Sequence, residues 1–196
     1  MDTRVEPYVA HETACVEQPS TIGPRTRIGR FAHVKPGATI GADCDLGPGA
    51  VVGSTAVVGD GVRIGRHVVV DDGVVLEDGV FCGPGVVLAP VVKPRSERLD
   101  ACQRLPIVVR RGASLGANAT VIGGATVGEY AMVEAGSVVA GDVPRYGVAA
   151  GVPARQTGWL CRCTSSALSF EGSAAACCPA WRRSEERRVG KECQSV

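Results

Sequence analysis

A six-residue spacing governs this chain. Ile22, Ile28, Val34, Ile40, Leu46, Val52, Val58, Ile64, Val70, Leu76, Cys82 and Leu88 share one phase, and all but Cys82 are aliphatic. Glycine usually follows, at 23, 29, 41, 47, 53, 59, 65 and 83. Four residues after each aliphatic sits a small or β-branched side chain, from Thr26 and Ala32 to Val80 and Val86. A fixed period decides the architecture before any other signal. Six residues are too few for a helix pair and suit one short strand plus one turn. The aliphatic side chain points inward, and the small residue fits a narrow interior. The glycine is expected to turn the chain through backbone angles that a Cβ forbids. Three units make one triangular coil, and coils stack strand on strand at about 4.8 Å. The predicted fold is all-β, a parallel β-helix.

The phase starts faintly at Ala10 and clearly at Val16, and thirteen units run from Val16 to Leu88. Residues 89–106, with three prolines and six charged residues, then interrupt it. Proline lacks a ladder donor, so this stretch is expected to leave the coil as a loop. Ejected loops in regular solenoids tend to carry function. The period resumes at Val109 and continues through Leu115, Val121, Val127, Val133 and Val139. Leu88 and Val109 are 21 residues apart, which is not a multiple of six, so the phase is reset. Nineteen units predict about six coils and a stack of roughly 30 Å. The solenoid is expected to span 10–158, with 140–158 closing it.

Composition narrows the function. Abundant glycine (26 residues) and scarce aromatics (4%) suit an interior too narrow for rings. Lysine plus arginine number 21 against 20 acids, so no basic surface recommends nucleic acid as a partner. No apolar run is long enough to span a membrane, and no charged-then-apolar start resembles a signal peptide. A cytoplasmic location is therefore expected. Five of the nine cysteines fall in the last 36 residues, which reads as thiols or a metal site rather than disulfides. Cys161 and Cys163, then Cys177 and Cys178, resemble a small zinc ribbon short of one ligand. Tetrahedral zinc takes four Cys or His ligands, usually as two close pairs. The second pair needs a cysteine where Trp181 stands, unless Cys177 and Cys178 both bind. Residues 159–182 are thus read as a Cys-rich tail with these four as candidate zinc ligands. The stretch RSEERRVGKEC, from Arg183 to Cys193, resembles the translation of a sequencing-adapter oligonucleotide. Residues 183–196 are set apart as an artefact whose removal is expected to leave folding and activity unchanged.

The repeating aliphatic-Gly-x-x-small-x unit resembles the signature of the hexapeptide acyltransferases. Periodicity does not fix the hand of the coil, and the general preference for right-handed crossovers points the other way. The resemblance implies a left-handed β-helix. Four segments sharpen it: FAHV at 31–34, EDGVFCGPGVVLAPVVKPRS at 77–96, RRGASLGANATV at 110–121 and GDVPRYGVAAGVPARQTGW at 141–159. Together, over about residues 10–160, they resemble one branch of that family. Its members are N-acetyltransferases acting on UDP-2-acetamido-3-amino-2,3-dideoxy-glucuronate, an intermediate of bacterial surface polysaccharides. The resemblance implies acetyl-coenzyme A as donor and a homotrimer with active sites in clefts between subunits. One position departs. The branch usually has Thr-Asn where this chain has Ala89-Pro90; that Asn lies in the substrate cleft, and Pro90 offers neither a side-chain amide nor an N–H.

The implied reaction is attack of a sugar amine on a thioester. It needs a neutral amine and a donor for the oxyanion, commonly a backbone N–H. No Ser-His-Asp pattern stands out, and holding two substrates in register supplies much of such a rate. His33, in the FAHV segment, and Arg95 and Ser96, in the ejected loop, are the candidates for sugar-nucleotide binding, since arginine forks onto carboxylate or phosphate. Asn118, with the amides near Gly116 and Gly136, is the candidate for the pantetheine arm, and Arg155 for coenzyme A phosphates. Arg110 and Arg111 read better as a solvated face, His11 and His67 as turn residues, and Cys82 as core. Two other classes compete. A carbonic anhydrase-like metalloenzyme needs three converging histidines, and His11, His33 and His67 are widely separated. An inactive structural or ligand-binding solenoid is the alternative, and titration with acetyl-coenzyme A distinguishes it.

Overall fold

The computed structural model describes residues 7–92, 94–95 and 103–160, and the backbone of 167–169. Ser96, the zinc candidates Cys161, Cys163, Cys177 and Cys178, and the adapter-like segment 183–196 lie outside the described residues.

Two-residue strands recur every six residues. The first three, Val9–Ala10, Cys15–Val16 and Thr21–Ile22, fall on three different sheets, here faces A, B and C. Each pairs in parallel with the strand 18 residues on: Val9 with Arg27, Cys15 with His33, Thr21 with Thr39. All-β, with no helix among the described residues, the molecule is a parallel β-solenoid of about seven coils, consistent with the left-handed β-helix. The expected six is corrected to seven. The weak start at Ala10 is a full rung paired with Ile28, and Val143 completes the last coil by bridging Val127.

The inward aliphatics form one continuous core. Leu46, Leu76, Leu88 and Leu115 are fully buried, as are the small Ala32, Ala50 and Ala56 between them. Each such leucine stabilises by about 1.5–3 kcal/mol relative to exposure. Among the described residues Thr26 is the one buried threonine, and it is satisfied: its hydroxyl donates to the Gly41 carbonyl at 2.8 Å and accepts the Cys44 N–H at 3.1 Å.

The role expected of the glycines is also corrected. Those directly after the inward residue do not turn the chain; they let successive coils touch. A methyl on Gly128 would lie 2.4 Å from the Arg145 nitrogen of the next coil. The turn comes two residues later, where φ is positive. Glycine holds that place at Gly61 and Gly85, but Asp43, His67 and Asn118 hold it too, at 55–57°. Both kinds of position recur every six residues, so periodicity alone does not separate them.

Across the insertion, partners lie 33 positions apart instead of 18, so it adds 15 residues. Val74–Leu76 pairs directly with Ile107–Val109 on face C, and the ladder continues unbroken. The insertion begins and ends as a short antiparallel ribbon, Val91–Val92 against Gln103–Arg104. At the far end, Gly147–Gly151 extends face A, and Ala154–Leu160 folds back along it antiparallel.

Candidate active site at two corners of the coil

The insertion leaves from the corner between faces B and C, in the fifth coil. Its neck is tied by backbone bonds. The Leu105 N–H donates to the Pro90 carbonyl, the Gly123 N–H to Ala89 at 2.9 Å, and the Gly124 N–H to Pro106 at 3.0 Å. Gly123 admits this contact because a methyl there would lie 2.4 Å from the Pro90 carbonyl oxygen. Beside the neck is an open cleft of about 400 Å³, lined by Thr55, Asp72 and Gly73 below and by Pro90 and Arg104–Pro106 above. Asp72 is fixed, since its carboxylate accepts the Ser54 N–H at 2.8 Å. Arg104 stands 3.6 Å from the same carboxylate, with both side chains partly exposed. A pair of that kind contributes about 0–1 kcal/mol, so the guanidinium can exchange Asp72 for an anionic ligand at little cost.

Sequence reasoning singled out Pro90 but missed Thr55, Asp72 and Arg104. Thr55 and Gly73 are one coil apart at the same corner, so the 18-residue register carries the signal for the lower wall. Arg104 and Asp72 become neighbours only once the insertion returns to the coil. Arg95 lies within the insertion, where its guanidinium donates to the adjacent Pro94 carbonyl at 3.2 Å. His33 is elsewhere. It stands on face B of the second coil, and the register runs from it through Val51 and Val69 to Val87, three rungs and about 14 Å along the stack. Its Nε2 pairs with the Glu17 carboxylate of the first coil. Within one chain, His33 is not brought to the insertion.

The coenzyme candidates gather at a different corner, between faces A and B. Asn118 and Gly136 occupy equivalent places in the sixth and seventh coils, and the Gly136 N–H donates to Ala117 at 2.8 Å. The Gly116 N–H likewise donates to Val133 at 2.7 Å, so both glycine amides serve the coil ladder. What the corner offers instead is room. A Cβ on Gly136 would meet nothing within 4 Å, and Asn118 is exposed. The strand bearing Arg155 comes close: Arg155 pairs with Ala150, and the adjoining Gly151 N–H reaches the Ser137 hydroxyl at 3.2 Å. The exposed Arg155 guanidinium donates to its neighbour's carbonyl at 3.2 Å. An open corner with an amide side chain and a nearby arginine fits an extended phosphate-bearing ligand.

The other candidates settle simply. Arg110 pairs with Glu77 at 2.6 Å, and the other Glu77 oxygen accepts the Arg111 N–H at 2.9 Å. His67 is a turn residue lying over Gly49. Burial pushes the Cys82 thiol up to about 12, which leaves it no role as a nucleophile. The three faces also differ. Face A carries outward Arg27, Asp45 and Arg63 on successive rungs. Face B carries outward Val51, Val69 and Val87, a half-buried apolar stripe that runs along the stack between the two corners.

Two repeat families match this coil: the bacterial transferase hexapeptide over residues 19–54, and the hexapeptide repeat of succinyl-transferase over 106–140. The chain carries hexapeptide repeats over both segments. Among characterised proteins it is similar to a dTDP-3-amino-3,6-dideoxy-alpha-D-galactopyranose 3-N-acetyltransferase of Aneurinibacillus thermoaerophilus. The two are 51% identical over 70 residues, 36% of each chain. A serine acetyltransferase of Haemophilus influenzae is 53% identical over 47 residues, 24% of this chain and 18% of that protein. The chain thus spans about a third or less of these two relatives. Among solved structures, PerB of Caulobacter crescentus, in complex with CoA and GDP-perosamine, superposes with a TM-score of 0.52 at 25% identity, over 79% of this chain and 58% of that one. A point mutant of AntD, an N-acyltransferase of Bacillus cereus in complex with dTDP and coenzyme A, shares the fold: TM-score 0.55, 16% identity, 79% of this chain and 84% of that one. No helix among the described residues is long and apolar enough to cross a membrane.

Proposed function

We propose that this protein is an acetyl-coenzyme A-dependent N-acetyltransferase acting on a nucleotide-linked amino sugar. The observation that carries the reading is the 51% identity to an enzyme that acetylates the 3-amino group of a nucleotide-linked sugar. A UDP-linked 3-amino uronate, made in the cytoplasm for surface polysaccharide, is the acceptor favoured by the FCGP…PRS and GVPARQ-GW segments.

The geometry supports a division of labour. Arg104 and Arg95 of the insertion hold the anionic sugar nucleotide at the B/C corner; Ser96 joins them on the sequence resemblance alone. Asn118, Gly136 and Gly116 border the pantetheine arm at the A/B corner, and Arg155 meets the coenzyme phosphates. The two sets stand at opposite edges of face B. Six extended residues span up to about 20 Å, too far for amine and thioester to meet within one chain. Copies packed head-to-tail through the valine stripe about a threefold axis set the A/B corner of one subunit beside the B/C corner of the next. A homotrimer completes the site in this reading, and His33 then lies along the same interface. The amine attacks the thioester carbonyl, the carbon–sulfur bond breaks, and the amine proton leaves to solvent or the departing thiolate. Alignment supplies most of the rate. Incubation with acetyl-coenzyme A and a panel of nucleotide-linked 3-amino sugars, read by mass spectrometry, should show one acetyl group added. If acetyl-coenzyme A does not bind at all, the chain is a structural solenoid and the proposal is wrong.

A further inference from the structure

The structure assigns a transition-metal site to the outer surface of face B, built from Cys15, Glu17 and His33. The Cys15 sulfur, a Glu17 carboxylate oxygen and a His33 ring nitrogen all lie within 4.8 Å of one another. This grouping follows from the coil. Cys15 and His33 are register partners on adjacent rungs, and both side chains stand outward. Glu17 comes two residues after Cys15, on the same side of the strand, and its carboxylate already pairs with the His33 ring.

The donor set selects the metal class. A thiolate, an imidazole and a carboxylate are what zinc takes, and cobalt accepts the same set. Magnesium and calcium take oxygen ligands and are excluded. Ligands about 2.0–2.3 Å from one ion lie nearer to each other than 4.8 Å, and side chains exposed at the surface close that gap by small rotations. Three protein ligands leave a fourth position for water or an incoming group. On binding, the Cys15 thiol releases its proton to solvent and the sulfur–metal bond forms.

A mechanical consequence comes with it. Cys15 and Glu17 belong to the first coil and His33 to the second. Of the inward residues, Val16 and Ile22 of the first coil are only partly covered, whereas Val34 and Ile40 of the second are fully buried. The ion therefore joins the least covered described coil to the packed stack.

The test keeps the tail cysteines out of the count. In a full-length chain, Cys102, Cys161, Cys163, Cys177, Cys178 and Cys193 are replaced by serine, leaving Cys15 and the buried Cys44 and Cys82. The chelator-stripped protein is titrated with Co(II), followed by thiolate-to-cobalt charge-transfer absorption, and its thermal midpoint is measured with and without Zn(II). The expected result is one equivalent of cobalt, a charge-transfer band, and a higher midpoint with zinc. Cys15→Ser should abolish the band and the zinc-induced shift. His33→Gln should weaken cobalt binding at least as much as losing a group that merely orients a ligand does, on the order of 10–100-fold. A parent chain with no charge-transfer band overturns the site, and so does a band that survives Cys15→Ser. Cobalt affinity unchanged by His33→Gln also overturns it, since His33 is then no ligand.

Discussion

The Leu105 N–H donates to the Pro90 carbonyl at 2.9 Å. That bond draws the two strands of the insertion together where they leave the coil, and it makes Pro90 part of the neck through its carbonyl alone. The missing proline N–H is not needed there.

Pro90→Asn should therefore keep the neck while adding an amide to the cleft wall. If the acceptor is the 3-amino uronate nucleotide, turnover should rise. Steady-state kinetics on that substrate check it; lower turnover with an unchanged thermal midpoint would show that the proline suits a different acceptor.

Arg95→Ala and Arg104→Ala should each weaken sugar-nucleotide binding by about 1.5–3 kcal/mol, the range for a lost charge-assisted contact. The coenzyme Michaelis constant should stay in place. Arg155→Ala should do the reverse. If neither insertion variant moves the sugar Michaelis constant or turnover, the insertion is a surface excursion.

Val69→Glu should dissociate the proposed trimer. Its side chain is half-buried on face B, and a carboxylate has no partner in the valine stripe. Light scattering should fall to the mass of one chain, with activity lost and circular dichroism retained. A variant that remains trimeric would move the interface to another face.

The glycines should rank by mechanism. Gly128→Ala forces a methyl against the next coil and should cost about 3 kcal/mol, the upper end for overpacking. Gly61→Ala meets open space and carries only the left-handed penalty, about 1–2 kcal/mol. Gly61→Asn should be milder still, since Asp43 holds the same corner one coil below. Denaturation midpoints of the three variants give the order.

In the monomeric Val69→Glu variant a maleimide should label Cys15, exposed in the single chain, and spare buried Cys44 and Cys82. Burial raises the Cys82 thiol from 9.0 to about 12 and raises Cys44 as well. Between those values the unfolded chain has lost a proton that the folded chain keeps. Stability from Cys82 is thus complete below pH 9 and drains away as pH rises toward 12. Denaturation midpoints should fall over that window, and Cys82→Ala should flatten the slope.

The fold was legible because its core positions repeat at one spacing that nothing but a coil of short strands satisfies. The insertion announced itself through Pro90, Pro94 and Pro106. What did not show was anything set by the larger 18-residue turn. Cys15, Glu17 and His33 look unrelated until two rungs are laid side by side, and Arg104 meets Asp72 only across a full loop. The paired glycines misled for a related reason. Gly59 and Gly61 look equivalent in the sequence, yet one abuts Asp78 of the next coil and the other faces open space.

The direct pairing of Val74–Leu76 with Ile107–Val109 has a consequence beyond the active site. The break in phase at Leu88 is a property of contour length; in space the lattice of rungs contains no dislocation. Length at this corner is a free variable. A foreign segment spliced between Val92 and Gln103, with ends that meet as theirs do, adds no mismatch to any coil. The same residues placed inside a rung would throw every later inward position out of phase unless their number were a multiple of six.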